Sequence, residues 1–365
     1  MFISVAQNSC ITPDSKDKEV YYLTFDLPKD MEAQQTYAPG DWLTVRAKNH
    51  GDMVASVLNL LGLTGHETIE IRRAGKVTVS EALEFHLELT QINPAILNKL
   101  QRQFGFDEWQ DRHAMIKYVY GKDIVDLLEL FPQLQKMGVD FLALLSPLAP
   151  RYYSIASAPD KNNTVSLLYR KVAYQANGRE RFGVASSMLA EVKAGQELEV
   201  EFKSNPTFKL PQKLSTPIIM IGSGAGLAPY IGFMEQRSKQ AVESESNGVN
   251  VLFFGETYQA TNCLFCNELE AWQKQGVLQT YYAFSRDQTE KFYVQDRIKQ
   301  NKEMVWSLIN EGAHLYICGS QTTMAESVKQ TMLEIFAEFG GFDAETADSY
   351  WHQLRKQKRL QMDVY

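Results

Sequence analysis

The sequence predicts a multidomain α/β protein: an antiparallel β-barrel, a helical domain inserted into it, and a doubly wound α/β domain at the end. Three observations carry this. Period-two apolar runs occupy the first fifty residues and resume after residue 150, the block between them is spaced for helices, and the last third alternates short apolar strands with helices around a glycine loop. The predicted boundaries are 1–50 and 146–212 for the barrel, 51–145 for the helical insertion and 213–365 for the α/β domain. A chain of 365 residues has room for two or three such units, at roughly 100–200 residues per domain.

In chain order, Tyr21, Leu23, Phe25 and Leu27 alternate as in a half-buried strand, Pro39-Gly40-Asp41 forms a turn, and Trp42 to Arg46 reads as the next strand. From Asp52 the spacing becomes helical: Met53, Val54, Val57, Leu58, Leu60 and Leu61 lie on one face. Helices are also predicted over 80–89, 94–100 and 123–131, with Ser80 and Asp123 as caps and Pro132 as a stop. Strand patterns return at Tyr152, at Thr164 to Tyr169 and at Glu197 to Phe202. Pro217 to Ile221 is wholly apolar, as a strand buried on both faces of a parallel sheet must be. It runs into Gly222-Ser-Gly224-Ala-Gly226-Leu-Ala-Pro229 and then a helix; further strands are predicted over 249–254, 280–284 and 314–317.

Composition excludes several classes. Charged residues are 22% and the net charge is −7, so no basic face advertises nucleic-acid binding. No apolar window reaches the length of a membrane span, and no basic segment precedes an apolar run at Met1 to Asn8, so a cytoplasmic protein is expected. Four cysteines are too few for a disulfide framework. Cys263 and Cys266 form a C-x-x-C that reads either as two half-buried thiols near a helix start or as a metal or redox pair; a zinc site would need two more ligands close in sequence.

The candidate ligand-binding residues fall into six groups. Arg151, Tyr152, Tyr153 and Ser154 place a cation and a phenol on one face of a strand and a hydroxyl on the other. They read as an ordinary strand or as a face that pairs a diphosphate with the guanidinium and lays a flat ring against the phenol. Gly183, Val184, Ala185 and Ser186 open a helix whose amides suit a phosphate oxygen, unless the serine merely caps it. Gly222, Gly224 and Gly226 form the strand–loop–helix layout of dinucleotide sites, although the spacing is not G-x-G-x-x-G. Ser285, Arg286, Lys291, Tyr293 and Gln295 follow a strand's carboxyl end and read either as a solvated loop with scattered charges or as a group that fits an adenosine 2′-phosphate, which would favour NADPH over NADH. Cys318 ends another strand as a small buried hydrophobe or a ligand-facing group, and the tail Asp363-Val364-Tyr365 either frays or docks.

Taken together, R-Y-Y-S, G-V-A-S, G-S-G-A-G-L-A-P, S-R with K-F-Y-V-Q, C-G and the final D-V-Y occur in the order found in the ferredoxin-NADP reductase family. Within it the chain resembles the reductase module of the NADPH-dependent diflavin reductases, most of all the sulfite reductase flavoprotein group. The resemblance runs from about residue 19 to Tyr365. It implies an FAD-binding barrel, a helical connecting domain and an NADPH-binding domain. It also implies that Arg151, Tyr153, Ser154, Tyr174 and the Gly183–Ser186 segment contact FAD. Ser154, Cys318 and Asp363 would flank the hydride path, and Tyr365 would cover the flavin ring. Two departures stand out: Ser320 replaces an acidic residue after the C-G pair, and Glu256-Thr257-Tyr258 lacks a basic residue common after that strand. Fewer than twenty residues precede the first strand read here, so the resemblance implies a separate electron acceptor, a flavodoxin or FMN-domain protein. Direct reduction of ferric complexes, haem or free flavin, and a non-catalytic NADPH-binding regulatory subunit, are the alternative readings.

Overall fold

The computed structural model describes residues 1–106, 108–243 and 248–365. Its strands are β1 (Phe2–Cys10), β2 (Val20–Asp26), β3 (Trp42–Val45), β4 (Thr68–Ile71), β5 (Gly75–Thr78), β6 (Arg151–Ser154), β7 (Thr164–Arg170), β8 (Ala173–Ala176), β9 (Arg179–Phe182), β10 (Glu197–Lys203), β11 (Ile218–Ser223), β12 (Asn250–Glu256), β13 (Gln279–Phe284), β14 (His314–Gly319) and β15 (Leu360–Val364). By contact density the chain divides into two units: residues Met1–Thr44, Tyr152–Arg170 and Lys193–Tyr365 form the first, and Val45–Arg151 with Lys171–Val192 the second.

The first unit holds both large sheets. One has the strand order β6-β3-β10-β1-β2-β7, with antiparallel pairing along β10-β1-β2-β7. This is the antiparallel sheet the sequence implies, but β1 was not among the predicted strands. Its Ser, Gln and Asn residues mask an alternation that buries only Ile3 and Val5. The other sheet is parallel, in the order β13-β12-β11-β14-β15. Its alternate residues enter two different cores. Ile219, Ile221, Val251, Phe253, Leu315 and Ile317 join one, and Ile218, Met220, Leu252, Phe254, Tyr316 and Cys318 the other. Burial on both faces is the reason these strands read as unbroken apolar runs. The tail docks: β15 pairs in parallel with β14, setting Asp363 opposite Cys318.

The second unit is mainly helical, around a core that includes Val57, Leu83, Leu97, Trp109, Leu127 and Phe141. The helix Ile124–Leu130 is capped as expected: Asp123 accepts from the Asp126 amide, and Asp126 accepts from that of Asp123. Ser80 is not a cap. The helix begins earlier, at Val79–Glu81, and the Thr78 hydroxyl accepts from the Glu81 amide; Ala82–His86 continues it as a π-turn. Two hairpins, β4–β5 and β8–β9, interrupt the helices. Among the described residues no helix is long and apolar enough to cross a membrane.

Candidate functional site

In the first unit the end of β6, the end of β14 and the tail strand meet at one carboxylate. The Ser154 hydroxyl donates to Asp363 Oδ2 at 2.5 Å, and the Trp42 indole N–H donates to Oδ1 at 3.1 Å. Burial pushes the Asp363 carboxyl above its ordinary value, and these two hydrogen bonds offset only part of that rise. Cys318 lies opposite in the ladder, 1% exposed; burial, with Asp363 nearby, holds its thiol far up and therefore protonated. It is a small neutral group rather than a thiolate. Tyr365 continues the tail: its N–H donates to the Gly319 carbonyl and its own carbonyl accepts from Gln321, while the residue as a whole is 70% exposed. An aromatic residue on a backbone fixed at two points is a ready cover for a flat ligand. Tyr152 is also exposed, edge-on to Trp42 at 5.7 Å, whereas the Tyr153 ring packs 5.9 Å from Tyr169.

The glycine loop follows β11 as a single 3₁₀ turn, Gly224–Leu227, leading into the helix Ala228–Glu243. Gly224 has φ +55°, and a Cβ on Gly226 would sit 2.2 Å from the Cys318 carbonyl oxygen, so no larger residue lets the loop lie this close to β14. Ser285 and Arg286 follow β13 directly. Their amides donate to the Glu256 and Thr257 carbonyls at 2.8 and 2.9 Å, which fastens them to the end of β12. Arg286, Lys291 and Tyr293 are exposed, and Gln295 lies in the first turn of the helix Val294–Gln300. The position that lacks a basic residue, Glu256, is buried and paired instead with Lys18.

In the second unit Arg151 donates to Glu88 Oε2 and to the Ala149 carbonyl, both at 2.6 Å, so part of its guanidinium is already engaged. Gly183 precedes the helix Val184–Glu191, and a Cβ there would meet Ser186 Oγ at 2.6 Å. Ser186 does not cap the helix; its hydroxyl accepts from the Val172 amide at 3.1 Å. The amides of Val184, Ala185 and Ser186 thus form an uncapped helix N-terminus. The buried Ser187 hydroxyl beside them has no hydrogen-bond partner. A tight glycine turn, unspent amides and an orphaned hydroxyl are the features a phosphate oxygen uses. Tyr174 is half exposed on β8.

Sequence reasoning missed Trp42 and Glu88. Each partners a residue it had singled out, across sequence separations of 321 and 63, and no local pattern reports such pairings. Of the two readings open for Cys263 and Cys266, two half-buried thiols or a metal or redox pair, the structure departs from the first: it joins them in a disulfide across a Cα separation of 5.7 Å.

A family model described as FAD binding domain matches residues 1–188, and one described as oxidoreductase NAD-binding domain matches residues 220–330. The chain is similar to proteins named sulfite reductase [NADPH] flavoprotein alpha-component. That of Photorhabdus laumondii is 38% identical over 363 residues, covering 97% of this chain and 59% of the relative. Those of Citrobacter koseri and Salmonella typhimurium are 38% identical over 372 and 375 residues, covering 99% and 100% of this chain and 60% and 61% of the relatives. The chain therefore spans about three fifths of the length of these relatives. With the FAD binding domain matched over more than half of its length and the NAD-binding domain following, the chain belongs to the FAD-binding oxidoreductases of the ferredoxin-NADP reductase type.

Proposed function

We propose that the protein accepts a hydride from NADPH on bound FAD and passes electrons to a separate acceptor, a flavodoxin or an FMN-bearing domain. The observation that carries this reading is the convergence of Ser154, Asp363, Cys318 and Tyr365 beside the glycine loop at the carboxyl end of a parallel sheet, which is where such sheets bind nucleotides. FAD, when bound, takes two electrons together and releases them singly.

The chain's residues bind, orient and shield. Asp363, held by neutral donors alone, sets a negative charge where a nicotinamide ring gains positive charge. Ser154 fixes that carboxylate and keeps its own lone pairs to accept from a ring N–H. Cys318 supplies a compact neutral wall. The Tyr365 side chain would cover the flavin ring and would have to give way for a nicotinamide ring to stack there. The Val184–Ser186 amides and the uncommitted N–H groups of Arg151 bind the diphosphate, with Tyr153 and Tyr174 as further FAD contacts. Gly222, Gly224 and Gly226 admit the dinucleotide phosphates, and Ser285, Arg286, Lys291, Tyr293 and Gln295 bind the 2′-phosphate. In domain terms, residues 1–50 and 146–212 carry FAD, 51–145 connect, and 213–365 carry NADPH. The cytoplasm, where NADPH is the reductant pool, is the place this activity calls for.

The test is direct. The purified protein should show flavin absorbance that anaerobic NADPH bleaches, and reoxidation should be faster with flavodoxin or an isolated FMN domain than with ferric chelates. A colourless protein that binds no added FAD overturns the reading, and chelates outpacing every flavoprotein overturns the choice of acceptor.

A further inference from the structure

We infer that Cys263 and Cys266 form a dithiol–disulfide site whose oxidised state tightens the binding of NADP(H); the coupling to nucleotide rests on the reading above. Both cysteines are partly exposed, and their sulfurs are bonded across a Cα separation of 5.7 Å, within the usual disulfide range. Among the described residues, no group of three or more His, Cys, Asp or Glu is placed to hold a metal ion. Phe265 lies between the cysteines in the left-handed region, φ 52°, and its ring packs edge-on against Tyr22 at 5.1 Å. Cys266 is the first residue of the nine-residue helix Cys266–Lys274. The unpaired amides at that end stabilise a thiolate on Cys266, making it the better leaving group.

A dithiol reductant of the thioredoxin class balances the exchange. Its thiolate attacks the Cys263 sulfur, forming a mixed disulfide and expelling the Cys266 thiolate. Its second thiol then displaces Cys263. Two electrons pass from the reductant, which ends as a disulfide, and the two protein thiolates take up protons.

The run 256–262, which leads into the disulfide, is tied to the residues assigned to the 2′-phosphate. The Asn262 amide donates to the Tyr258 carbonyl at 3.0 Å, and its fully buried side chain donates to Ser15 and Asp17 at 2.8 and 3.2 Å. The Gln259 amide donates to Asp287 at 3.0 Å, and the Glu256 and Thr257 carbonyls hold Ser285 and Arg286. Opening the disulfide frees the far end of this run and loosens the hold on Ser285 and Arg286.

The test uses the flavin-loaded protein equilibrated with oxidised or reduced dithiothreitol, with alkylation mapped by mass spectrometry and NADP⁺ affinity measured by calorimetry. Reduction should make Cys263 and Cys266 alkylatable, with Cys10 labelled in both states, and weaken NADP⁺ binding about fivefold, well within what loosening one loop can cost. The double substitution Cys263→Ser/Cys266→Ser should bind like the reduced protein under either condition; if it fails to fold, the two states of the unaltered protein carry the comparison. Two cysteines that stay free under oxidising conditions overturn the inference, as does pairing that leaves NADP⁺ affinity unchanged. Absence of NADP⁺ binding in both states overturns the coupling together with the NADPH reading, and is recognised because the alkylation pattern still responds.

Discussion

Asp126 in the helical unit and Asp363 in the tail strand are both withdrawn from water, yet their surroundings have opposite character. Asp126 and its neighbour Asp123 face Arg179 and Arg181, with N–O separations of 2.5 to 2.8 Å. Burial would push the Asp126 carboxyl up, but Arg179, the Asp123 amide and Arg181 outweigh it and hold it below its ordinary value. Asp363 has a hydroxyl and an indole N–H and remains raised. In the first group both carboxylates are paired with guanidinium cations. The second keeps a charge without a countercharge, which is what a site for a transient cation needs. Burial alone does not mark function; the partners do.

The largest effect should come from opening the ion-paired cluster. Arg181→Met leaves two buried carboxylates short of a partner and should destabilise the protein by about 3–5 kcal/mol, read from denaturant midpoints; a change within 1 kcal/mol would make the cluster as expendable as a surface pair. Asp363→Asn keeps the shape and one acceptor, so stability should hold, whereas flavin reduction by NADPH should slow about 100-fold in stopped flow, as when one preorganised electrostatic group is removed.

The two aspartates should also give opposite pH slopes. The lowered pKa of Asp126 contributes stability that is present above its unfolded value near 3.8 and lost as pH falls through the folded value. The raised pKa of Asp363 contributes stability that is complete below its unfolded value and lost as pH rises through the folded one. Unfolding free energies of Asp126→Asn and Asp363→Asn, each taken relative to the unaltered protein from pH 3 upward, should therefore diverge; parallel curves would refute the comparison. The smallest change in stability belongs to the exposed Tyr365. Tyr365→Ser should alter it by no more than about 0.5 kcal/mol while relaxing the preference for NADPH over NADH, and unchanged steady-state kinetics with both nucleotides would remove its role as a cover.

Much of this was legible in the sequence where the physics is local. The wholly apolar β11, the glycine loop after it and the Asp123 cap each declare themselves within a few residues. The β8–β9 hairpin was legible too and passed over: Asn177 and Gly178, with φ 50° and 72°, are the residue pair favoured in two-residue turns. The tail strand was not legible as a strand, because its five residues bury only Leu360 and Gln361 and owe their conformation to pairing with β14. The site's chemistry lay between these cases. Residue types named Ser154 and Asp363 through motif order, but that they touch, and that Trp42 completes the set, is a property of the folded sheet alone.

The tail strand has a consequence for biosynthesis. Ser154 is made 209 residues before the carboxylate it binds, and Trp42 321 residues before. Strands β1, β2 and β7 can pair while the ribosome is still working, since domains begin to fold during synthesis. The electrostatic centre waits for β15. A chain interrupted before residue 360 would own most of both sheets and the whole glycine loop without the aspartate, so on the proposed reading the capacity to react arrives only after the capacity to bind.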